Sequence, residues 1–277
     1  MNYKEGYDWG KQSLETAGVS EAELDARLLL EKICGTDRNT LLVHGDRLLS
    51  EEEKNRYQDW IQKRAQHIPL QHLTGEQEFM GLTFLVNGHV LIPRQDTEIL
   101  VEEVMREMMD GSRILDMCTG SGCILLSLLH YSNDCRGTGA DISQEALAVA
   151  GENARRLGIQ ACFLRSDLFE KIEDKYDIIV SNPPYIQTRV IDGLMDEVRL
   201  HEPLSALDGG EDGLVFYRKI LEGCPEHLVR GGSLYFEIGY DQGEAVKELM
   251  EKHGFSEVRV TKDFAGLDRV VSGLWYE

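Results

Sequence analysis

The segment Asp177-Ile178-Ile179-Val180-Ser181-Asn182-Pro183-Pro184-Tyr185 carries the most chemical information in this chain. An apolar strand pattern runs straight into an asparagine, two prolines and an aromatic. The prolines have fixed φ angles and no N–H donors, so the turn is stiff and presents bare carbonyl oxygens. Asn182 adds a side-chain carbonyl acceptor, and Tyr185 adds a flat apolar face. Such a turn suits the holding of an amide nitrogen. That nitrogen's lone pair is delocalised into its carbonyl, which makes it a poor nucleophile. If the Asn182 side chain and the Pro183 carbonyl hold its two hydrogens, the lone pair is aimed at an activated methyl carbon, and Tyr185 packs on the amide plane. Orientation of this kind supplies on the order of several kcal/mol. Dipoles already aligned with the positive charge growing on nitrogen add more. No early general base is needed, because the nitrogen becomes acidic only as it is alkylated. The plainer alternative is a proline-stiffened turn with Tyr185 as core.

Upstream, Asp116-Met117-Cys118-Thr119-Gly120-Ser121-Gly122 closes another apolar strand. A glycine-rich turn between strand and helix lets backbone N–H groups approach a ligand. Only Gly120 and Gly122 fit a dinucleotide fingerprint, and the lysine of a P-loop is missing, so a pyrophosphate or triphosphate is disfavoured. One βαβ unit later, Ala140-Asp141 ends a second strand. A carboxylate there can accept from both hydroxyls of a ribose. Together the two features point to a nucleoside without phosphate. Taken singly, they read equally as a tight turn and a helix-cap neighbour. Ser166-Asp167-Leu168-Phe169 follows a third strand, where side chains can border an adenine or simply face solvent.

These loops need a scaffold that brings strand ends together. From Pro93 onward strands and helices alternate, with strands expected at 113–117, 136–140, 160–165, 176–181, 232–238, 256–262 and 268–275. Helices are expected at 95–110, 122–131, 143–157, 212–222 and 242–253. This implies an α/β fold, a parallel sheet with helices on both faces. Residues 1 to 75 read as a small helical bundle. Ser20-Glu21-Ala22-Glu23 and Ser50-Glu51-Glu52-Glu53 are expected to be capping boxes, the second opening a helix to about Gln66. Residues 76–92 read as a β-hairpin connector with Asn87-Gly88 as its turn. The expected division is therefore 1–75, 76–92 and 93–277. Arg94 and Glu98, at i and i+4, read as a surface ion pair.

Composition bounds the rest. The chain has 277 residues and a formal net charge of −20, which repels phosphate backbones and argues against nucleic acid as the main partner. The charge does not exclude a basic protein partner, which such a field would steer inward, and it reads equally as simple solubility. The six cysteines and eight histidines are scattered, without metal-ligand spacing, so no metal site is expected. No apolar run reaches membrane-helix length and the first residues lack a signal-peptide pattern, so no membrane association and a cytoplasmic address are expected.

The motifs resemble the class I methyltransferase pattern, and more closely the release factor glutamine methyltransferases. The matching pieces span most of the chain. They include Leu24-Asp25-Ala26-Arg27-Leu28-Leu29, Pro69-Leu70-Gln71-His72-Leu73-Thr74-Gly75 and Glu78-Phe79-Met80-Gly81-Leu82-Thr83-Phe84. Further along come Val90-Leu91-Ile92-Pro93-Arg94-Gln95-Asp96-Thr97-Glu98, His201-Glu202-Pro203, Ala206-Leu207-Asp208-Gly209-Gly210, Asp212-Gly213, Glu237-Ile238-Gly239 and Asp263-Phe264-Ala265-Gly266. The Asn-Pro-Pro-Tyr element is shared with other amide and exocyclic-amine methyltransferases, whereas the segments around Arg94 and Asp208 are more specific.

The resemblance implies a Rossmann-like sheet and methyl transfer from S-adenosylmethionine to the glutamine N5 of a Gly-Gly-Gln motif in class 1 peptide chain release factors. It implies that Cys118, Thr119, Gly120, Ser121, Gly122, Asp141 and Leu168 contact the cofactor, with Asn182 beside it. Asn182, Pro183, Pro184 and Tyr185 would hold the glutamine, and the helical N-terminal part would grip the partner. The family usually has glycine at Cys118, often an aromatic at Leu168, and commonly proline at Gln95. Backbone contacts at Cys118 require that its φ stay negative. The competing readings are a ribosomal-protein glutamine methyltransferase, a DNA adenine-N6 methyltransferase acting on a flipped base, and a non-catalytic nucleoside-binding scaffold.

Overall fold

A computed structural model describes residues 1–276, which form two compact units. The first comprises Met1–Glu76 together with Met195–His201, and the second Gln77–Leu194 together with Glu202–Glu277.

The first unit is helical, with segments Tyr3–Thr16, Ala22–Cys34, Arg38–Val43, Glu51–Arg64 and Leu70–Thr74. Leu14, Ala26, Leu29, Leu30, Tyr57 and Ile61 are buried together in its core. The Ser50 capping box forms as expected, with the Ser50 hydroxyl and the Glu53 carboxylate each accepting from the other's backbone N–H. The box expected at Ser20 does not form. That helix is capped at Glu21 without a side-chain hydrogen bond. A box at Asn2 and Glu5, which sequence reading passed over, opens the first helix. Arg64, also buried, donates to Asp25 at 2.7 Å and to Glu197 at 3.1 Å within the same unit.

Among the described residues the second unit is built on nine strands: β1 (Glu76–Phe79, its first residue assigned to the first unit), β2 (Leu82–Leu85), β3 (Arg113–Met117), β4 (Arg136–Asp141), β5 (Cys162–Arg165), β6 (Tyr176–Ser181), β7 (Leu228–Glu237), β8 (Ser256–Lys262) and β9 (Asp268–Trp275). The last seven form one sheet in the order β5-β4-β3-β6-β7-β9-β8. β5 through β7 are parallel, but β9 runs antiparallel to both β7 and β8. The all-parallel expectation is thus corrected to a mixed sheet. A short turn at residues 263–267 folds β9 back on β8, whereas a parallel partner would need a crossover connection.

Alternate residues of the central strands face opposite layers. Leu115, Ile179, Leu234 and Phe236 pack with Tyr217, Ile220 and Val246 of helices Val215–His227 and Gly243–Lys252. Ile114, Ile178, Val180 and Tyr235 pack with Leu100, Val104 and Leu125 of helices Glu98–Glu107 and Cys123–His130. Full burial of each such side chain contributes roughly 1.5–3 kcal/mol, so the strand ends are set on a rigid base.

The hairpin is also corrected. β1 and β2 turn at Met80-Gly81, whose φ values are 50° and 70°. A two-residue turn with positive φ at both positions matches the twist of the flanking strands. The Tyr131 hydroxyl donates to the Met80 carbonyl at 2.6 Å, and the Met80 N–H donates to Glu98 at 2.6 Å. Asn87-Gly88 lies beyond β2, in a turn where Asn87 accepts from the His89 N–H.

Candidate active site

The sheet order places the sequence motifs side by side. β3 is the strand from which the chain leaves in both directions, with β4 on one flank and β6 on the other. Ligands in open α/β sheets bind outside the carboxyl ends of strands at such a switch point. Met117 is paired with both Ala140 and Ser181. The residues that follow, Cys118, Asp141 and Asn182, therefore leave three adjacent strands at one level. The Ser181 hydroxyl donates to the Met117 carbonyl at 2.6 Å and ties the two turns together.

A cleft of about 550 Å³ opens there, a volume suited to a small-molecule ligand. Its lining includes Cys118, Thr119, Gly120, Ser121, Asp141, Leu168, Asn182 and Pro184. Gly122, Pro183 and Tyr185 are not among the lining residues. Gly122 begins the helix, Pro183 is buried, and Tyr185 packs against the core from behind.

Asp141 accepts from the Gly120 N–H and the Ser143 N–H, each at 2.9 Å, through different oxygens. Two acceptor positions of the carboxylate are left over, as a ribose diol requires. Burial raises the Asp141 pKa, and the three backbone N–H groups around it oppose the rise. Asp116 is fully buried beneath the turn, with the Thr119 hydroxyl donating to Oδ2 at 2.6 Å and Oδ1 without a hydrogen-bond partner among the described residues. Burial pushes its pKa up to about 7. A cationic ligand in the cleft would favour the charged form of both carboxyls. The donor set, rich in carboxylate and backbone groups and free of a phosphate-binding lysine in the turn, thus fits S-adenosylmethionine.

Cys118 departs from the expectation of negative φ. Its φ is +62°, and that of Leu168 is +49°. Both stand in the left-handed region that strains a side chain. The Cys118 side chain packs against the core while also lining the cleft, and burial raises its thiol pKa above the ordinary range, with Asp141 and Asp116 adding to the rise.

The Asn-Pro-Pro-Tyr turn is clamped from several sides. Gln242 donates to the Tyr185 carbonyl at 3.1 Å, and the Ile186 N–H donates to the Leu207 carbonyl at 3.0 Å. Asn182 Nδ2 donates to Thr97 Oγ1 at 3.5 Å. That orientation turns the Asn182 amide nitrogen onto Thr97 and leaves its carbonyl oxygen free of protein partners of hydrogen-bond geometry among the described residues.

Comparison with known proteins adds what geometry alone does not. Residues 5–75 match the PrmC N-terminal domain family, and residues 94–199 match the Methyltransferase small domain family. The chain is 42% identical to a release factor glutamine methyltransferase of Geobacter sulfurreducens, over 96% of this chain and 94% of that one. It is 43% identical to a protein of the same name from Moorella thermoacetica, over 97% of each. This chain belongs to the release factor glutamine methyltransferase family. A methyltransferase from Pyrococcus furiosus, 19% identical with a TM-score of 0.55 over 71% of this chain and 90% of that one, shares the fold.

Arg94, expected to pair with Glu98, instead donates to buried Glu202 at 2.7 and 2.8 Å and lines the cleft. The local i, i+4 spacing misled because Arg94 stands outside the helix, in extended backbone at φ −96°. Thr97 and Asp116 also went unassigned. A polar residue inside an apolar strand, as Asp116 is, was the available signal. For Thr97 the signal was its place in the family-like segment 90–98, while its partner Asn182 stands 85 positions further along the chain.

Proposed function

We propose that this protein transfers a methyl group from S-adenosylmethionine to the N5 nitrogen of the glutamine in the Gly-Gly-Gln motif of class 1 peptide chain release factors. The observation that carries the reading is that Asn182 and Pro184 line the same cleft as Gly120 and Asp141. When bound, S-adenosylmethionine supplies an activated methyl carbon. Cys118, Thr119, Gly120, Ser121, Gly122, Asp141 and Leu168 hold it, with Asn182 adjoining. Asp141 accepts from the ribose, and the buried Asp116 balances positive charge.

The turn acts on the amide through one side chain and one main-chain carbonyl. The free oxygen of Asn182 and the carbonyl of Pro183 accept its two N–H groups. Tyr185 backs the turn and supports the amide plane, and Pro184 keeps the path rigid. Aligned acceptors stabilise the cation that grows as the nitrogen–carbon bond forms. The proton is lost afterwards, from a nitrogen made acidic by alkylation, and water suffices to take it.

Residues 1–75 recognise the protein partner, 76–92 connect, and 93–277 carry the chemistry. The net charge of −20 supports a basic protein surface as partner rather than direct contact with nucleic acid. Among the described residues no helix is long and apolar enough to cross a membrane, in keeping with a proposed cytoplasmic address.

The test incubates the protein and isotope-labelled cofactor in parallel with a purified class 1 release factor, with ribosomal proteins and with adenine-containing DNA. Label in the release factor is the expected result. Label in either of the other two, with none in the release factor, overturns the substrate.

A further inference from the structure

Arg94 stands at the rim of the cleft with most of its donors uncommitted. Its place is set by the backbone. Its φ and ψ are −96° and 147°, and its carbonyl accepts from the Thr97 N–H at 3.1 Å where the short helix Gln95–Thr97 begins. Thr97 in turn accepts from Asn182 Nδ2 at 3.5 Å. Arg94 is thus held one turn of chain from the contact made by Asn182. Its Nη2 donates to both oxygens of Glu202, at 2.7 and 2.8 Å. The Glu202 side chain is 1% exposed, whereas that of Arg94 is 42% exposed. The pair therefore runs outward, from a buried carboxylate to a half-exposed fork in the cleft wall. Pro203 and Leu204, which follow Glu202, line the same cleft, and Leu204 is exposed. Arg94 Nε and Nη1 make no hydrogen bond to protein among the described residues.

Two properties decide what these free donors can hold. The first is charge. Glu202 already balances Arg94, and drawing the guanidinium away would leave a buried carboxylate unpaired. The remaining N–H groups suit a neutral acceptor, for which direction matters more than charge. A planar guanidinium fixes those directions. The second is placement. A glutamine amide held by Asn182 and the Pro183 carbonyl stands a side chain's length from its own main chain. That main chain rests outward of Asn182, at the rim. The two residues before it in Gly-Gly-Gln have no side chains, so only their main-chain groups can be recognised.

We propose that Arg94, oriented by the buried Glu202, donates through Nε and Nη1 to the main-chain carbonyls of the glycine pair that precedes the target glutamine. The inference rests on the Gly-Gly-Gln substrate given above. Arg94 is then a specificity-determining residue and Glu202 a positioning residue. The glycine carbonyls are unchanged as the methyl group moves, so this contact strengthens binding of substrate and transition state alike.

The experiment measures single-turnover methylation of a purified class 1 release factor, at varied release-factor concentration. It compares the wild type, Arg94→Met, Arg94→Lys and the double variant Arg94→Met/Glu202→Gln. Cofactor Kd is measured separately by calorimetry. The double variant is included because Arg94→Met alone leaves Glu202 buried without its partner. Both methionine variants are expected to need about ten-fold more release factor for half-maximal rate, the loss expected when a charged donor is removed. Maximal rate and cofactor Kd are expected to stay within about two-fold of wild type, the pattern of lost uniform binding. Lysine can still pair with Glu202 but has no fixed fork, so Arg94→Lys is expected to stay near the methionine variants. Full recovery by lysine would show that charge or the Glu202 pairing alone matters, and overturns the proposal. An unchanged half-saturating concentration in the double variant overturns it as well. A loss confined to cofactor Kd gives Arg94 to the carboxylate of S-adenosylmethionine instead, and is a third contrary result. Absent methylation by the wild type overturns the substrate reading itself, and is seen before any substitution is compared.

Discussion

Gly209 lies against the backbone of Tyr185. A methyl group at position 209 would stand 2.7 Å from Tyr185 Cα and 2.9 Å from the Pro184 carbonyl oxygen. Both neighbours are main chain and cannot swing away. The Gly209 N–H meanwhile donates to the Ile186 carbonyl at 2.8 Å, which holds the two segments at this spacing. Gly209→Ala is expected to push the turn outward and cut methyl transfer by roughly 100-fold, as a misplacement near 1 Å does. Cofactor affinity, measured by calorimetry, is expected to stay close to wild type.

Asp141 tests the other half of the cleft. It satisfies the Gly120 and Ser143 N–H groups as well as the expected ribose hydroxyls. Hydrogen bonds to a charged group contribute about 1.5–3 kcal/mol each, so Asp141→Ala is expected to weaken S-adenosylmethionine binding by on the order of 100-fold. Equal affinity in a titration would remove Asp141 from the cofactor site.

Much of this site was legible because its parts are local. β3, β6, β8 and β9 fall at the residues expected for them, since each is an apolar or β-branched run bounded by glycine, proline or charge. Asn182 and Asp141 were readable for the same reason, standing where strands stop. What was not legible depends on partners far apart in sequence. Glu202 takes Arg94 away from Glu98, and Asn182 meets Thr97 from 85 positions further along the chain. The Met80-Gly81 turn was hidden by the stronger local signal of Asn87-Gly88. The antiparallel direction of β9 was hidden because an apolar strand reads alike in either direction. The strain at Cys118 was hidden too, since residue type alone suggested a negative φ.

That strain gives a stability comparison. Cys118→Ala keeps a Cβ at φ +62°, and Cys118→Gly removes it. Both lose the half-buried thiol, so packing cancels between them. The left-handed conformation costs a side-chain residue roughly 1–2 kcal/mol, and the extra unfolded-state freedom of glycine offsets about 0.4–1 kcal/mol. The glycine variant is expected to be the more stable of the two by roughly 0.5–1 kcal/mol in urea denaturation. A less stable glycine variant would show that the turn relaxes.

Asp116 sets a pH dependence. Burial raises its folded pKa to about 7 from an ordinary value of 3.8. Between those values the folded protein holds a proton that the unfolded chain has released. Stability from this group is therefore complete below the lower value and is lost as pH rises through the upper one. Glu237 adds a change of the same sign. Without cofactor, the protein is expected to be less stable near pH 8 than near pH 5.5, by on the order of a few kcal/mol. Asp116→Asn is expected to flatten the decline, and an unchanged slope in denaturant titrations would assign it elsewhere.

The most direct test follows the methyl group itself. Wild type and Asn182→Ala are each incubated with a class 1 release factor and S-adenosylmethionine, and the Gly-Gly-Gln peptide is fragmented in a mass spectrometer. The wild type is expected to place one methyl group on the glutamine side-chain nitrogen. Asn182→Ala is expected to bind the cofactor normally and to be roughly 100- to 1,000-fold slower, the loss typical of one aligned hydrogen-bonding group at a site of developing charge. Turnover by Asn182→Ala at the wild-type rate would contradict the account.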